Sequence, residues 1–307
     1  MYITGRMNYE NKYSNTIKAL ALCKFAGVDP RLFSALISQF GSLDKLFADT
    51  PDALKEIKNL DQQTSDLVRN ASAGLQLAED FHAELSQRDI NVATCFDSNF
   101  PKLLHELNDP PPVLYVRGSI PNNSRKTVTV VGTSKASQEG IELTVHLSRL
   151  FAKANVQVVS SLRGGIDGAV HLGCKANDGK SFAIIDSGFD HLDLSEQMPL
   201  AIDIAQKGGV ITEYPPDIAP HTDNLSATNR LLVGLSHAVV LTEFYNDSSH
   251  THDLLSFCGD IGKLVFIMVD PEHGALSDET ALETASKYGI VPIVGFDQVG
   301  SIIKALV

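Results

Sequence analysis

The chain has 307 residues, 43% of them apolar, and a formal net charge of −12. That is room for one large α/β domain with a smaller companion, and an acidic balance argues against a generic nucleic-acid surface, which takes a basic excess. Cys23, Cys95, Cys174 and Cys258 form no C-x-x-C pair, which argues against a zinc ribbon and a secreted disulfide framework and suits a reducing cytoplasm. No apolar run approaches a membrane span and the first residues lack a signal pattern, so a cytoplasmic protein is expected. Residues 1–86 carry 9 Lys and Arg against 11 Asp and Glu, and the remainder 16 against 26, so the acid sits in the later part.

Residues 1–13 are polar and expected to fray. From Asn15 to about Leu85 short helices follow one another. The first stops at Gly27. Asp29-Pro30 opens the next, with Asp as cap and Pro at the first helical position, and Leu32, Leu36, Ile37 and Phe40 make its apolar stripe. Gly41-Ser42 ends it. Pro51 opens a turn with Leu54 and Ile57, and a longer helix is expected over Leu67–Leu85. The Gly-marked turns are similar to helix-hairpin-helix or SAM-like modules. The hairpin lacks the basic residues and the Gly-x-Gly of a phosphate grip, so packing or self-association is the plainer role. Domains are expected at 1–86 and 87–307.

Ile90–Phe96 and Val113–Gly118 read as strands around a short helix and the triple proline Pro110–Pro112. From Thr127 to Asp190 the pattern strand, glycine turn, helix repeats. The strands are Thr127–Val131, Val156–Ser161 and Lys180–Ile185. Further strands are expected at Gly208–Glu213, His237–Glu243, Leu264–Val269 and Ile290–Val294. A polar loop is expected over Asp217–Leu225 and a helix beginning at Asn229-Arg230. Helices are also expected over Leu254–Gly262, Thr280–Tyr288 and Gln298–Leu306. This is an α/β fold with a mostly parallel sheet and helices on both faces, whose turns lie at the carboxyl edge of the strands.

That edge is where binding is expected. Gly132 permits a sharp turn, and Thr133, Ser134 and Ser137 offer hydroxyls and amides at a helix N-terminus, where the dipole favours an anion. Gly164-Gly165 forms a second turn. Lys135, Arg163 and Arg230 are cations placed to converge there. Asp167 is expected to cap its helix and His171 to pair with it or pack on the sheet. Neither G-x-G-x-x-G nor a Walker loop is present, so dinucleotide and classical nucleotide-hydrolase readings are weak. Glu213 and Glu243 end strands and are expected to cap loops. His250-x-His252-Asp253 is a poor metal set. No nucleophile and base have catalytic spacing, so no enzyme and no cofactor are expected.

With these motifs in order, the chain resembles the DNA-processing protein A (DprA, or Smf) family. The resemblance rests on Phe100-Pro101 to Gly118, Val130-Val-Gly-Thr133 with Ala136-Ser137 and Gly140, and Ser160-x-Leu-x-x-Gly-Ile-Asp167 with His171. It continues through Gly179-Lys180, Ser187-Gly188, Thr212-Glu-Tyr-Pro-Pro216, Asn229-Arg230 and Glu243. It implies a Rossmann-like domain behind a helical module. It also implies a non-catalytic, dimeric protein that binds single-stranded DNA and loads a RecA-type recombinase during transformation. Gly132, Thr133, Ser134, Lys135, Ser137, Arg163, Gly164, Gly165, Lys180, Asn229 and Arg230 are then the DNA- or phosphate-binding set, with Lys180 standing for the family's basic residue.

The chain departs from the family where charge matters. Ser134 replaces an Arg, the Arg of the second turn is displaced to Arg163, and Ala227-Thr228 precede Asn229-Arg230 where a further Arg is usual. Two competing readings therefore stand beside the DNA mediator: a Rossmann-like sensor or processor of a nucleotide-derived ligand, and a scaffold acting through protein contacts. Stacking on single-stranded DNA would fall to Tyr or Phe such as Tyr214, since Trp is absent. The tail from Asp270 is too short and acidic to suggest a winged helix.

Overall fold

The computed structural model describes residues 12–48, 66, 71–243, 249–269, 283, 286 and 288–306, the side chains of 249 and 250 excepted. The expected turn at Pro51 with Leu54 and Ile57, the start of the helix at Leu67, most of Thr280–Tyr288 and the Asp270-Pro271 turn lie outside them. The chain forms two compact units, Met1–Phe100 with Asn108–Tyr115, and Pro101–Leu107 with Val116–Val307.

The first unit is built from α1 (Asn15–Leu20), α2 (Pro30–Phe40), α3 (Leu43–Ala48), α4 (Leu75–Gln87) and strand β1 (Asn91–Thr94), with the beginning of β2 (Val113–Gly118). Ser14 caps α1 through Ile17 N, and a π-helical turn, Ala21–Phe25, extends it. Asp29 caps α2 by accepting from Leu32 N at 2.8 Å, Pro30 sits at its start, and Gly41 closes it at φ 76°. A left-handed closing residue is the usual place for glycine, which lacks the Cβ that strains other residues there. Leu20, Leu22, Leu36, Leu43 and Leu46 are buried, each contributing about 1.5–3 kcal/mol by leaving water. Lys18 is buried beside them and pairs with Asp44.

The second unit holds the end of β2, then β3 (Thr127–Val131), α5 (Gln138–Lys153), β4 (Gln157–Ser161), α6 (Ile166–Lys175) and β5 (Ser181–Ile184). It continues with α7 (Gln197–Ala205), β6 (Gly209–Thr212), α8 (Thr222–Gly234), β7 (Ala238–Leu241), α9 (Ser249–Asp260), β8 (Leu264–Val269), β9 (Val291–Val294) and α10 (Val299–Ala305). The strand order from β2 is β2-β6-β5-β4-β3-β7-β8-β9. The pairs from β6 to β9 are parallel. Order reverses at β3, which has β4 on one side and β7 on the other, and ligands of open α/β sheets sit outside the carboxyl ends at such a reversal.

These strands read as continuous apolar runs because both faces are covered. Val128 and Val130 pack with Leu147, Phe151, Val158 and Ile302 on one face. On the other, the Thr129 hydroxyl donates to Leu232 O of α8 at 2.6 Å. Alternate residues of β3 thus meet opposite helical layers, and the expected doubly covered, mostly parallel sheet is what forms.

One boundary differs in a way that matters. Asn229-Arg230 does not begin a helix. α8 starts seven residues earlier at Thr222, after His221, whose ring accepts from Asp223 N at 3.3 Å. Its first turns bury polar side chains, Asn224 on Asp186 O and Thr228 on Asn224 O, in place of an apolar stripe, which makes the segment resemble a loop. Asn229 and Arg230 therefore fall in its buried later half. Similarly, α9 begins at Ser249 rather than Leu254.

Candidate nucleic-acid interface

The carboxyl ends of β3 and β4 carry the two glycine turns. Gly132 N donates to Asp167 Oδ1 at 3.3 Å, and a Cβ on Gly132 would lie 2.7 Å from both Glu243 O and Ile166 Cγ1. Only glycine fits that approach. Thr133 N donates to Glu243 O, and Ile166 N donates to Thr133 O, so the end of β7 and the start of α6 hold the first turn from two sides.

The N-terminus of α5 is not open. Glu243, 1% exposed at the end of β7, accepts from Ser137 N at 2.9 Å and lies 3.2 Å from the Ser137 hydroxyl. Ser137 Oγ in turn accepts from Gly140 N at 3.0 Å. The helix dipole and its first amides are satisfied by the protein's own carboxylate. The expectation of an anion at Ser137 is corrected here: Ser137 is an internal cap, and Glu243 is the anion.

The second turn is different. Ser161 donates its hydroxyl to Asp167 Oδ2, and Arg163 N and Nε reach Ser161 Oγ at 3.2 and 3.1 Å. Arg163 Nη2 lies 4.0 Å from Asp167 Oδ2. Burial raises the Asp167 pKa, opposed by Arg163 and the Ser161 and Gly132 hydrogen bonds. Asp167 is therefore not the expected cap of α6. Gly165 occupies that position without a side-chain bond, and Asp167 instead ties the ends of β3 and β4 together. His171 does not pair with Asp167. Its Nε2 meets Ser161 O at 2.9 Å, and burial pushes its pKa down to about 4, so the ring is neutral.

Gly164 and Gly165 adopt φ 86° and 56°. A Cβ on Gly165 would come 2.5 Å from Ser134 O, whereas one on Gly164 would meet nothing within 4 Å. Among the described residues, the amides of Ser134, Gly164 and Gly165 donate to no atom of the chain. Ser134 and Lys135 are exposed, and Arg163 is half-buried beside them. Successive amides in a turn of this kind form a concavity suited to an oxyanion. The two turns thus meet, Gly165 against Ser134.

Other expected members are elsewhere. Arg230 is 5% exposed, and its Nη2 donates to both carboxylate oxygens of Glu213 at 2.6 and 2.7 Å. Asn229 is fully buried and donates to Asp253 at 3.0 Å. Both are internal, so their expected place in a phosphate contact is corrected by the early start of α8. Lys180 is exposed but immediately precedes β5, which puts it at the amino edge, away from Arg163. Tyr214 lies beyond β6, two strands from the second turn, its pKa raised to about 12 mainly by burial and then by Glu213. His252 sits 3.4 Å from the Tyr288 hydroxyl, and no group of metal-binding side chains occurs among the described residues.

The chain's residues 91–282 match the family model described as DNA recombination-mediator protein A. The chain belongs to that family. It is 30% identical over 228 residues to Protein Smf of Synechocystis, covering 73% of this chain and 57% of that protein. It is 28% identical over 162 residues to the DNA processing protein DprA of Bacillus subtilis, covering 52% and 54%. The chain spans a little over half the length of these relatives. In structure it is similar to DprA of Streptococcus pneumoniae, with TM-score 0.70 at 22% identity over 94% of this chain and 98% of that one. A second neighbour is the Helicobacter pylori DprA, described for its single-stranded DNA binding mode, with TM-score 0.60 at 20% identity over 70% and 96%. At these identities the structural likeness speaks for the fold.

Glu243 caps a neighbouring loop as its place at a strand end suggests, accepting from Ser137 N; which loop that is does not follow from the sequence. It follows from the topology: Glu243 ends the strand that runs beside β3, so its carboxylate falls at the start of α5. The neighbouring rim is acidic. Asp186, Asp190, Asp193 and Glu196 follow β5 at this same edge.

Proposed function

We propose that this protein is a single-stranded DNA-binding recombination mediator whose backbone-phosphate contact is the joined turn of Ser134, Lys135, Arg163, Gly164 and Gly165. The observation that carries this reading is the set of unspent amides at Ser134, Gly164 and Gly165, in turns that meet each other. Backbone amides and guanidinium groups bind phosphate without reading sequence. The family supports DNA as the ligand. The acidic rim after β5 confines the strand to the β3–β4 part of the edge.

The protein works without catalysis, in the cytoplasm, as a homodimer that hands DNA to a RecA-type recombinase during DNA uptake. The exposed valines 291 and 294 on β9, the end strand among the described residues, support self-association, since a strand edge with apolar side chains favours pairing. The nucleotide-ligand reading loses its best site, because Glu243 occupies the helix N-terminus at the strand-order reversal where such a phosphate would sit.

The test is fluorescence anisotropy with a labelled single-stranded oligonucleotide at two salt concentrations. Micromolar or tighter binding that weakens with salt, and weakens further in Arg163→Ala, is the expected result. No binding at low salt overturns the proposal.

A further inference from the structure

The amino edge of the same sheet has the opposite charge character. Lys126 immediately precedes β3 and Lys180 immediately precedes β5, and β4 lies between those strands. The backbone fixes the pair closely: Gln157 N donates to Lys126 O at 2.9 Å and Val158 N to Lys180 O at 3.1 Å. The two lysines therefore flank the first residues of β4 from either side, about two strand spacings or 10 Å apart.

Lys153 ends α5 over the same point. The turn from α5 into β4 is short, with Asn155 at φ 59° and Val156 N donating to Phe151 O at 3.0 Å, so the backbone that carries Lys153 is held at the amino end of β4. The Lys126 side is equally held. The Gln157 side chain accepts from Asn122 N at 2.8 Å and donates to Asn122 O and Thr127 Oγ1, each at 3.1 Å. All three lysines are exposed.

Carboxylates on this edge do not cancel them. Asp178 pairs with Lys207, and Asp203 with Lys175. Glu106 lies 4.0 Å from Lys263, which also donates to Ser236 O. Among the described residues, Lys126, Lys153 and Lys180 take part in no ion pair. Lysines at helix C-termini commonly serve the helix dipole, which accounts for Lys153 and Lys175. It does not account for Lys126 and Lys180, which head strands.

We propose that Lys126, Lys153 and Lys180 form a second backbone-contact surface for single-stranded DNA, engaged when the strand is long enough to pass from the carboxyl edge to the amino edge. This rests on the DNA-binding reading above and extends it to a second site. A sheet strand of five residues is about 16 Å long, so a short oligonucleotide fills one edge and a long one reaches both. A flexible lysine head is a point charge suited to a mobile phosphate chain.

The experiment compares wild type, the triple variant Lys126→Gln/Lys153→Gln/Lys180→Gln and Arg163→Ala. Each is titrated with a short and a long oligo-dT across a salt series, and folding is checked by melting temperature. The expected result is that the triple variant binds the short oligonucleotide as wild type does. With the long one it should bind at least tenfold more weakly, with a salt slope reduced by about 2, since each phosphate contact on a single strand contributes about 0.7. If wild type binds and the triple variant matches it on the long oligonucleotide, the second surface is refuted and the patch is left to an acidic protein partner. If wild type binds neither length, the DNA reading and this inference fall together. If the triple variant melts early, the single variants Lys126→Gln and Lys180→Gln carry the same comparison, each expected to lower the slope by about 0.7.

Discussion

The two edges of one parallel sheet teach different lessons about charge. At the carboxyl edge the chain supplies its own anions. Glu243 closes α5, Asp167 joins the ends of β3 and β4, and an acidic rim follows β5. What remains for a ligand is a set of backbone amides, next in the chain to Arg163, which itself holds Ser161 and Asp167. At the amino edge the carbonyls of Lys126 and Lys180 are tied to β4, and the feature that stands out is three exposed side-chain charges. One edge would bind by fixed geometry and the other by mobile charge. A protein of net charge −12 can carry both, because net charge describes solubility and steering rather than a local site.

The comparison is broken most severely by removing cations that look like ligands but serve the fold. Arg230→Ala removes the buried guanidinium that holds the Glu213 carboxylate, and loss of one member of a buried pair costs about 3–5 kcal/mol. Urea denaturation should show that loss, while DNA affinity of the folded protein stays at the wild-type value. A large affinity loss without destabilisation would restore Arg230 to the site.

The pH dependence comes next. His171 is neutral in the folded protein because burial lowers its pKa from 6.5 to about 4. A depressed folded value contributes stability above the unfolded pKa that is lost as pH falls through 6.5 towards 4. The shift corresponds to about 3 kcal/mol. Asp167 acts with opposite sign: its raised value gives stability that is present at low pH and lost as pH rises through the folded pKa. The difference between wild type and His171→Gln isolates the histidine. The variant should lack about 3 kcal/mol of the fall between pH 7 and 4, as followed by denaturant titration at each pH. An unchanged fall would contradict a neutral His171.

Much of the fold was legible in the sequence because local chemistry and tertiary structure agree there. Asp29-Pro30 and Gly41 bound α2 as capping rules require, and Leu264–Val269 is a strand end to end. The site was less legible. Residues 222–228 lack an apolar stripe because α8 buries polar side chains there, Asn224 and Thr228, so the pattern suggests a loop to about Leu225 and a helix from Asn229, which misplaces the buried Asn229 and Arg230. Lys180 stands at the amino edge and not at the carboxyl edge expected of a phosphate contact, because it immediately precedes the parallel strand β5. Glu243 required the strand order, which only long-range pairing supplies.

Within the carboxyl edge, the two adjacent glycines sharpen the geometric claim. Gly165→Ala places a methyl 2.5 Å from Ser134 O at φ 56°, which should cost about 1–3 kcal/mol and separate the two turns, abolishing DNA binding. Gly164→Ala meets no neighbour and should cost about 1–2 kcal/mol from backbone strain alone, with weaker binding retained. Equal effects on binding would mean that the joined turn is not the contact. The smallest effect is that of Arg163→Ala, expected to weaken single-stranded DNA binding about tenfold and to lower the salt slope by about 0.7.

The most direct measurement is amide chemical-shift mapping of the isotope-labelled protein titrated with a short oligo-dT. The largest perturbations should fall on the amides of Ser134, Gly164 and Gly165, with the Ser137 amide, held by Glu243, barely moved. Perturbations centred on Ser137 and Gly140, with Ser134, Gly164 and Gly165 unchanged, would contradict the account.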